Sequence, residues 1–271
     1  MQCEDRAHDD GADAGGPAFV GEHLRGRGAV PRSVRVPSWE HALMGSREEV
    51  RALLTDARYT QPFESDRSSR ANDRTVARAD LLAVCESLNP DSQSDVLAAF
   101  VLTMAWGSGM TGSRSLRNTA RALQDPRVAH RALATAALTL RAARTPGDGA
   151  AERAHATFWL PGVRQAFFSK WFAFAGRVPE RAWQPLILDS RVYATLTDTL
   201  GVTTSFLAGS RYKAARYAAY VEALHAWARD LAETGRTVTA ERLEWVLFRH
   251  NGKPLPPSPD RLGRARTAST G

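Results

Sequence analysis

Lys170 sits in Phe167-Phe168-Ser169-Lys170-Trp171-Phe172-Ala173-Phe174, one amine among five aromatic residues. Asp189 follows 19 positions later, in Pro185-Leu186-Ile187-Leu188-Asp189-Ser190-Arg191-Val192. Helical spacing over Gln165–Ala175 places Phe167, Lys170 and Phe174 on one face, with Trp171 beside them. An amine held among rings is poorly solvated, which disfavours its charged form and lowers its pKa. From a starting value of about 10.4, roughly 4 kcal/mol separates an ordinary lysine from one substantially neutral near pH 7. Desolvation in an aromatic site can supply a shift of that order. A neutral lysine is a nucleophile able to attack a sugar C1′ and form a Schiff base. The same local pattern also describes a lysine whose stem packs on rings while its head reaches water. Both readings stand at this point.

Asp189 follows the apolar run Leu186-Ile187-Leu188 and precedes a helical pattern, which makes it an N-cap candidate. Capping backbone N–H groups would keep the carboxylate ionised at neutral pH. A fixed carboxylate can stabilise a developing oxocarbenium ion or orient an attacking group. The two roles are compatible in one residue.

The elements that must position this pair read as helices. Residues 1–37 mix Gly, Asp and Arg with little periodicity and are expected to be disordered, as is the Pro-rich tail 252–271. The domain is expected over 38–251. Ser46-Arg47-Glu48-Glu49 is a capping box opening a helix to about Ala57, and residues 61–72 read as a loop. Helices are predicted over 75–88, 92–106, 113–124, 126–143, 151–159, Gln165–Ala175, 189–200, 211–233 and Ala240–His250. The second of these has an almost wholly apolar run from Val96 to Trp106, which implies deep burial. Asp125-Pro126 supplies a cap and a first helical position. Thr145-Pro146-Gly147-Asp148-Gly149 breaks the chain and marks a possible lobe boundary. Strand alternation is scarce and no fixed-period repeat is present, so the fold class is all-α.

Composition narrows the partners. The chain has 271 residues, 43% hydrophobic, with a net charge of +7 and a pI near 10.0. Residues 1–37 hold five arginines against six acids, and 252–271 hold four basic residues against one acid. The basic excess therefore belongs mainly to the folded part, which favours polyanionic partners. Cys3 and Cys85 alone cannot build a disulfide framework or a four-cysteine metal or iron–sulfur site. No run of about 18 apolar residues is present, and the N-terminus lacks a basic-plus-apolar signal. The expected setting is cytoplasmic, without membrane contact. No metal-spaced histidine pair occurs. Gly107-Ser108-Gly109-Met110-Thr111-Gly112 matches GxGxxG literally but follows a helical run, not a strand, so it does not indicate nucleotide binding.

Leu160-Pro161-Gly162-Val163, then Phe168-Ser169-Lys170 and Leu188-Asp189-Ser190-Arg191-Val192, together resemble the helix-hairpin-helix DNA glycosylases. The likeness is to the 8-oxoguanine DNA glycosylase branch of bacteria and archaea. In that superfamily a hairpin leads to a catalytic lysine, and an aspartate about a score of residues later starts a helix. Lys170 and Asp189 match those positions. The resemblance extends to Trp106-Gly107-Ser108-Gly109, to Tyr217-Ala218-Ala219-Tyr220, and to Leu243-Glu244-Trp245-Val246-Leu247-Phe248-Arg249, covering about residues 95–250. Two departures stand out: Arg164 occupies the place of the hairpin's usual second glycine, and the interval from Gly162 to Lys170 is longer than common.

The resemblance implies a two-lobed helical enzyme, without metal or cofactor, acting as a monomer on duplex DNA with one base flipped out, near the nucleoid. Lys170 would attack C1′, Asp189 would stabilise the cationic sugar, and elimination from the Schiff base would nick the strand. Trp106, Trp171 and Phe168 are candidate pocket walls, although tryptophans of this kind also build ordinary cores. Gly162, Arg164, Ser169 and Arg191 are candidates for the DNA backbone. Arg114, Arg117 and Arg121, and Arg211, Lys213 and Arg216, form two further basic sets that suit either phosphate contact or a solvated face. 8-Oxoguanine is the implied base. A modified phage base or nucleotide, taken in defence, is an alternative, as is a helical DNA-binding protein without turnover.

Overall fold

The computed structural model describes residues 32–43, 47–63, 73–108 and 113–253. Ser46 of the expected capping box, most of the 61–72 loop, and Gly109 and Gly112 lie outside the described residues.

The fold is all-α with one small sheet. The described residues open with β1 (Arg32–Arg35), α1 (Val36–Ala42) and α2 (Arg47–Thr55), so 32–37 of the segment expected to be disordered are ordered here, while 1–31 and 254–271 of the two expected disordered ends lie outside the described residues. β2 (Gln61–Pro62) and β3 (Asp73–Val76) complete an antiparallel sheet of order β1-β3-β2, with Arg32 opposite Val76 and Gln61 opposite Thr75. Pro62 cannot donate to a ladder, and β2 is an edge strand, where that is tolerated. The helix expected over 75–88 therefore starts later, as α3 (Arg78–Glu86), because Asp73–Val76 pair with segments distant in sequence. The Asp80 carboxylate accepts the Ala77 N–H at 3.1 Å and fixes that start.

α4 (Gln93–Ser108) is the central helix, buried from Ala99 through Ala105, as its unbroken apolar run requires. α5 (Ser113–Ala122) leads to α6 (Pro126–Ala142), whose N-cap Asp125 accepts the Arg127 and Val128 N–H groups, each at 3.0 Å. α7 (Ala150–Thr157) and α8 (Gln165–Ala175) flank a short turn. The suggested lobe boundary is a tight connection: Asp148 accepts the Arg144 and Ala150 N–H groups, each at 3.0 Å. One hydrophobic core runs from Val34 to Leu247 across it. α9 (Ser190–Ala194) passes into a π turn (Thr195–Thr199), so the helix expected over 189–200 is widened in its second half. Thr195 marks the change, its hydroxyl donating to the Leu247 carbonyl at 2.7 Å and accepting the Gly252 N–H at 2.9 Å. α10 (Thr204–Ala208), α11 (Lys213–Glu233) and α12 (Ala240–His250) close the chain.

Two half-buried arginines tie helix ends together. Arg141 donates from Nε to the Ala175 carbonyl at 2.7 Å and reaches the Cys85 and Leu88 carbonyls at the end of α3. Arg181 donates to the carbonyls of Leu140, Ala143, Gly176 and Trp183 at 2.7, 3.1, 3.1 and 2.8 Å. The last carbonyls of a helix lack internal partners and carry partial negative charge, so a guanidinium is well suited to collect them. The ends of α6 and α8, the helix carrying Lys170, are thereby locked together.

Replacing Arg181 with Met should cost about 2–3 kcal/mol, because several buried carbonyls lose a charged donor. The melting temperature followed by circular dichroism should fall by about 4–12 °C. A change below about 2 °C would show that Arg181 does not bind these helix ends together.

Candidate active site

The site is built on the turn between α7 and α8. Leu160-Pro161-Gly162-Val163 closes with the Val163 N–H donating to the Leu160 carbonyl at 3.2 Å, and Gly162 has φ 81°. Proline second and glycine third are what a type II turn requires. A Cβ on Gly162 would also lie 3.0 Å from Asn118 Oδ1 and 3.1 Å from its Cα. The turn is thus pressed onto α5, whose Arg114, Arg117 and Arg121 are exposed. Arg164 is the N-cap of α8, at φ −105° and ψ 178°. That backbone is extended, so no glycine is needed there, and the side chain is exposed.

Lys170 is 7% exposed, within the buried stretch of α8. Its Nζ reaches one turn back and donates to the Ala166 carbonyl at 2.9 Å. It lies 3.8 Å from Asp189 Oδ2 and 5.5 Å from the centre of the Phe167 ring. The stem fills the space beside Gly107, where a Cβ would come within 2.9 Å of Lys170 Cδ and 3.1 Å of Phe167 Cε1. A glycine near the end of α4 is therefore what lets the lysine lie between the two helices. Burial pushes the amine's pKa below the ordinary lysine value, and the Asp189 and then Glu244 carboxylates oppose that fall. The lysine does not reach freely into water.

Asp189 is the N-cap of α9, its Oδ1 accepting the Arg191 and Val192 N–H groups at 3.0 and 3.1 Å. The other oxygen is the one turned toward Lys170. The preceding residues belong to no helix or strand, and side chains satisfy their backbone instead. Leu188 N–H donates to Ser169 Oγ at 3.1 Å, and Ile187 N–H donates to Glu244 Oε2 at 2.8 Å. Tyr217 and Tyr220 donate to the Leu186 and Ile187 carbonyls at 2.9 and 2.8 Å.

The other expected site residues divide. Trp106 is half-buried, meets Phe174 edge to face at 5.1 Å, and neighbours Gly107 on the lysine side of α8. Among the described residues its buried Nε1 has no hydrogen-bond partner. Trp171 is instead a core residue, fully buried, with Nε1 donating to the Leu133 carbonyl at 3.1 Å and its ring against Phe100. Phe168 also turns away from Lys170, two positions along the helix, and stacks with His155, Phe158, Phe172 and Tyr217. Ser169 is wholly buried and holds Leu188, so it is not placed to touch a DNA backbone. Arg191 is exposed, its guanidinium 4.9 Å above the Phe248 ring. Arg216 is engaged within the fold by Thr204 and Tyr193, whereas Arg211 and Lys213 are exposed. Phe167 lies beside the lysine, on the face where its i−3 spacing placed it. Glu244 is the residue the sequence reading did not assign, since nothing local distinguishes it from a solvated helical glutamate.

A hairpin-led helix bearing a buried amine, with a helix-capping carboxylate beside it in an all-α fold, is the arrangement of a helix-hairpin-helix glycosylase. Residues 34–248 match the model of the family described as "Putative 8-oxoguanine DNA glycosylase OGG-like protein", and the chain belongs to that family. No curated protein and no solved structure matches the chain. Among the described residues no helix is long and apolar enough to cross a membrane.

The lowered pKa of Lys170 carries a stability consequence with a definite sign. The folded state binds this proton less well than the unfolded state does, so stability rises with pH between the two pKa values. Lys170→Met should therefore raise the melting temperature at neutral pH, and the gain should shrink as pH approaches about 10.4, the value for an unfolded lysine. A variant less stable than the wild type at pH 7 would contradict a desolvated amine.

Proposed function

We propose that this protein is a DNA glycosylase removing an oxidised or otherwise modified purine such as 8-oxoguanine, with strand-nicking lyase activity through Lys170. The observation that carries the reading is the Lys170 amine, buried and desolvated beside the Asp189 carboxylate. The neutral Nζ attacks C1′ as the C1′–N9 bond breaks, and the base leaves with the bonding electrons. Asp189 stabilises the positive charge that builds on the sugar ring. Loss of a proton from Nζ and opening of the C1′–O4′ bond, with O4′ taking up a proton, give the Schiff base. Removal of a C2′ proton then expels the 3′ phosphate.

Supporting groups surround this pair. Extrusion of a base costs a few kcal/mol, which stacking on an aromatic face can offset. Trp106 and Phe167 are the rings on the lysine side, and the Trp106 Nε1–H, without a partner among the described residues, would be a donor for an acceptor atom of the base. The Gly162 turn, Arg164 and Arg191, with Arg114, Arg117 and Arg121 on the adjoining α5, would hold phosphates of duplex DNA. The enzyme would work as a monomer in the cytoplasm, at the nucleoid.

Borohydride should trap a covalent adduct between the wild-type chain and duplex DNA carrying the right base, tested across oxidised, deaminated and hypermodified bases. Lys170→Gln should lose the adduct altogether. Asp189→Asn separates two roles, because asparagine caps a helix as well as aspartate does. It should leave α9 capped, with an unchanged helical circular-dichroism spectrum, while slowing base release by about 10²–10³-fold. Undiminished base release by Lys170→Gln would remove the lysine from the mechanism. No adduct and no base release on any member of the panel would overturn the glycosylase reading.

A further inference from the structure

Glu244 is a buried carboxyl, 3% exposed, close behind the lysine–aspartate pair. Its Oε2 accepts the Ile187 N–H at 2.8 Å, two residues before Asp189, and Oε1 lies 3.7 Å from Arg78 Nη1. The Arg78 guanidinium lies 5.6 Å from the centre of the Phe174 ring, one turn beyond Lys170. A neutral oxygen would serve the Ile187 N–H as well, whereas a buried carboxyl is costly to desolvate. The charge of Glu244 also acts on Lys170, which no neutral acceptor would do. The titratable and charged groups around Glu244 are Arg78 on α3, Lys170 on α8, Asp189, Glu241 on its own helix, and the phenols of Tyr217 and Tyr220 on α11.

We propose that Glu244 is a positioning residue of the Lys170–Asp189 site, acting through the Ile187 N–H on the placement of Asp189 and through its charge on the Lys170 amine. Its catalytic consequence rests on the glycosylase reading; its effect on Lys170 does not. Burial raises the Glu244 carboxyl to about 7, against the opposing pull of Arg78 and the Ile187 N–H. Above that pH the ionised carboxyl favours the ammonium form of Lys170. Below it, Asp189 alone of the two carboxylates supports the ammonium. Removing the charge must therefore let Lys170 release its proton at lower pH.

The chain has only three lysines, Lys170, Lys213 and Lys253, so lysine carbon resonances are simple to assign in the full-length protein. In ¹³C-lysine protein the Lys170 Cε resonance, identified by its loss in Lys170→Gln, should step near pH 7 as Glu244 titrates. Glu244→Gln keeps an acceptor for Ile187 and should abolish that step. It should also move the lysine's own titration to lower pH, because the charge that favours the ammonium is gone. A folded Glu244→Gln protein with an unmoved Lys170 titration would overturn the proposal. If the variant does not fold, absence of the step near pH 7 in the wild type overturns it. In trapping experiments the acid limb of the pH profile should move to lower pH in Glu244→Gln. A wild-type chain that traps no DNA would defeat the lyase reading while leaving the resonance measurement to judge Glu244.

Discussion

Removing one ammonium group from water is the constraint around which the centre of this protein is arranged. Lys170 is the only buried lysine of the three, and the chain's other basic residues are overwhelmingly arginine, a side chain that stays charged. Where this protein needs positive charge for packing, it uses arginine, as Arg141 and Arg181 show at the helix ends. A lysine in the one buried position can shed its proton, and the rings of α8 and the absent side chain of Gly107 deny it water. The carboxylate at 3.8 Å limits how far that desolvation goes. Burial and the two carboxylates thus act on the amine in opposite senses, and burial prevails.

The counterpart of the buried amine is a rigidly held carboxylate, and its rigidity comes from an unusual source. The segment ending at Leu188 is buried yet belongs to no helix or sheet, so its N–H and C=O groups need other partners. Ser169, Tyr217, Tyr220, Glu244 and, at Gln184, His225 provide them from three helices. Each bond reaches across the core to α8, α11 or α12. Ser169 is the most telling, because it precedes Lys170 and grips the residue before Asp189, so one hydroxyl couples the two halves of the pair. Buried polar networks of this kind, when satisfied throughout, specify a single arrangement.

How much of this was legible in the chain follows from the range of the interactions involved. α8 and α12 are local: their apolar spacing fixes their bounds at Gln165–Ala175 and Ala240–His250. The Asp189 cap is local too, written in the aspartate and the helical pattern behind it. The three-stranded sheet was not, because Asp73–Val76 pair with Arg32–Arg35 some forty residues away and carry no alternation strong enough to announce a strand. The roles of Trp171, Phe168 and Ser169 failed for a related reason. An aromatic-rich helix buried on nearly every side does not reveal in its spacing which face meets the site and which meets the core. Only the packing of α6, α7 and α11 decides that Trp171 bonds Leu133 and that Phe168 joins Tyr217. Glu244 was invisible for the opposite reason, since a glutamate on an amphipathic helix is ordinary until its neighbours enclose it.

The placement of Lys170 relative to the hairpin follows from the same geometry. The lysine stands two turns beyond Gly162, deeper in α8 than a side chain meant for a ligand at the helix start would be. Its bond to the Ala166 carbonyl brings the amine one turn back toward the hairpin. A neutral amine has two N–H bonds and one lone pair. With one N–H given to Ala166 and the amine 3.8 Å from Asp189, Nζ is held between the first turn of α8 and the cap of α9. The bond to Ala166 thus offsets the longer interval between Gly162 and Lys170, because it carries the amine back toward the turn.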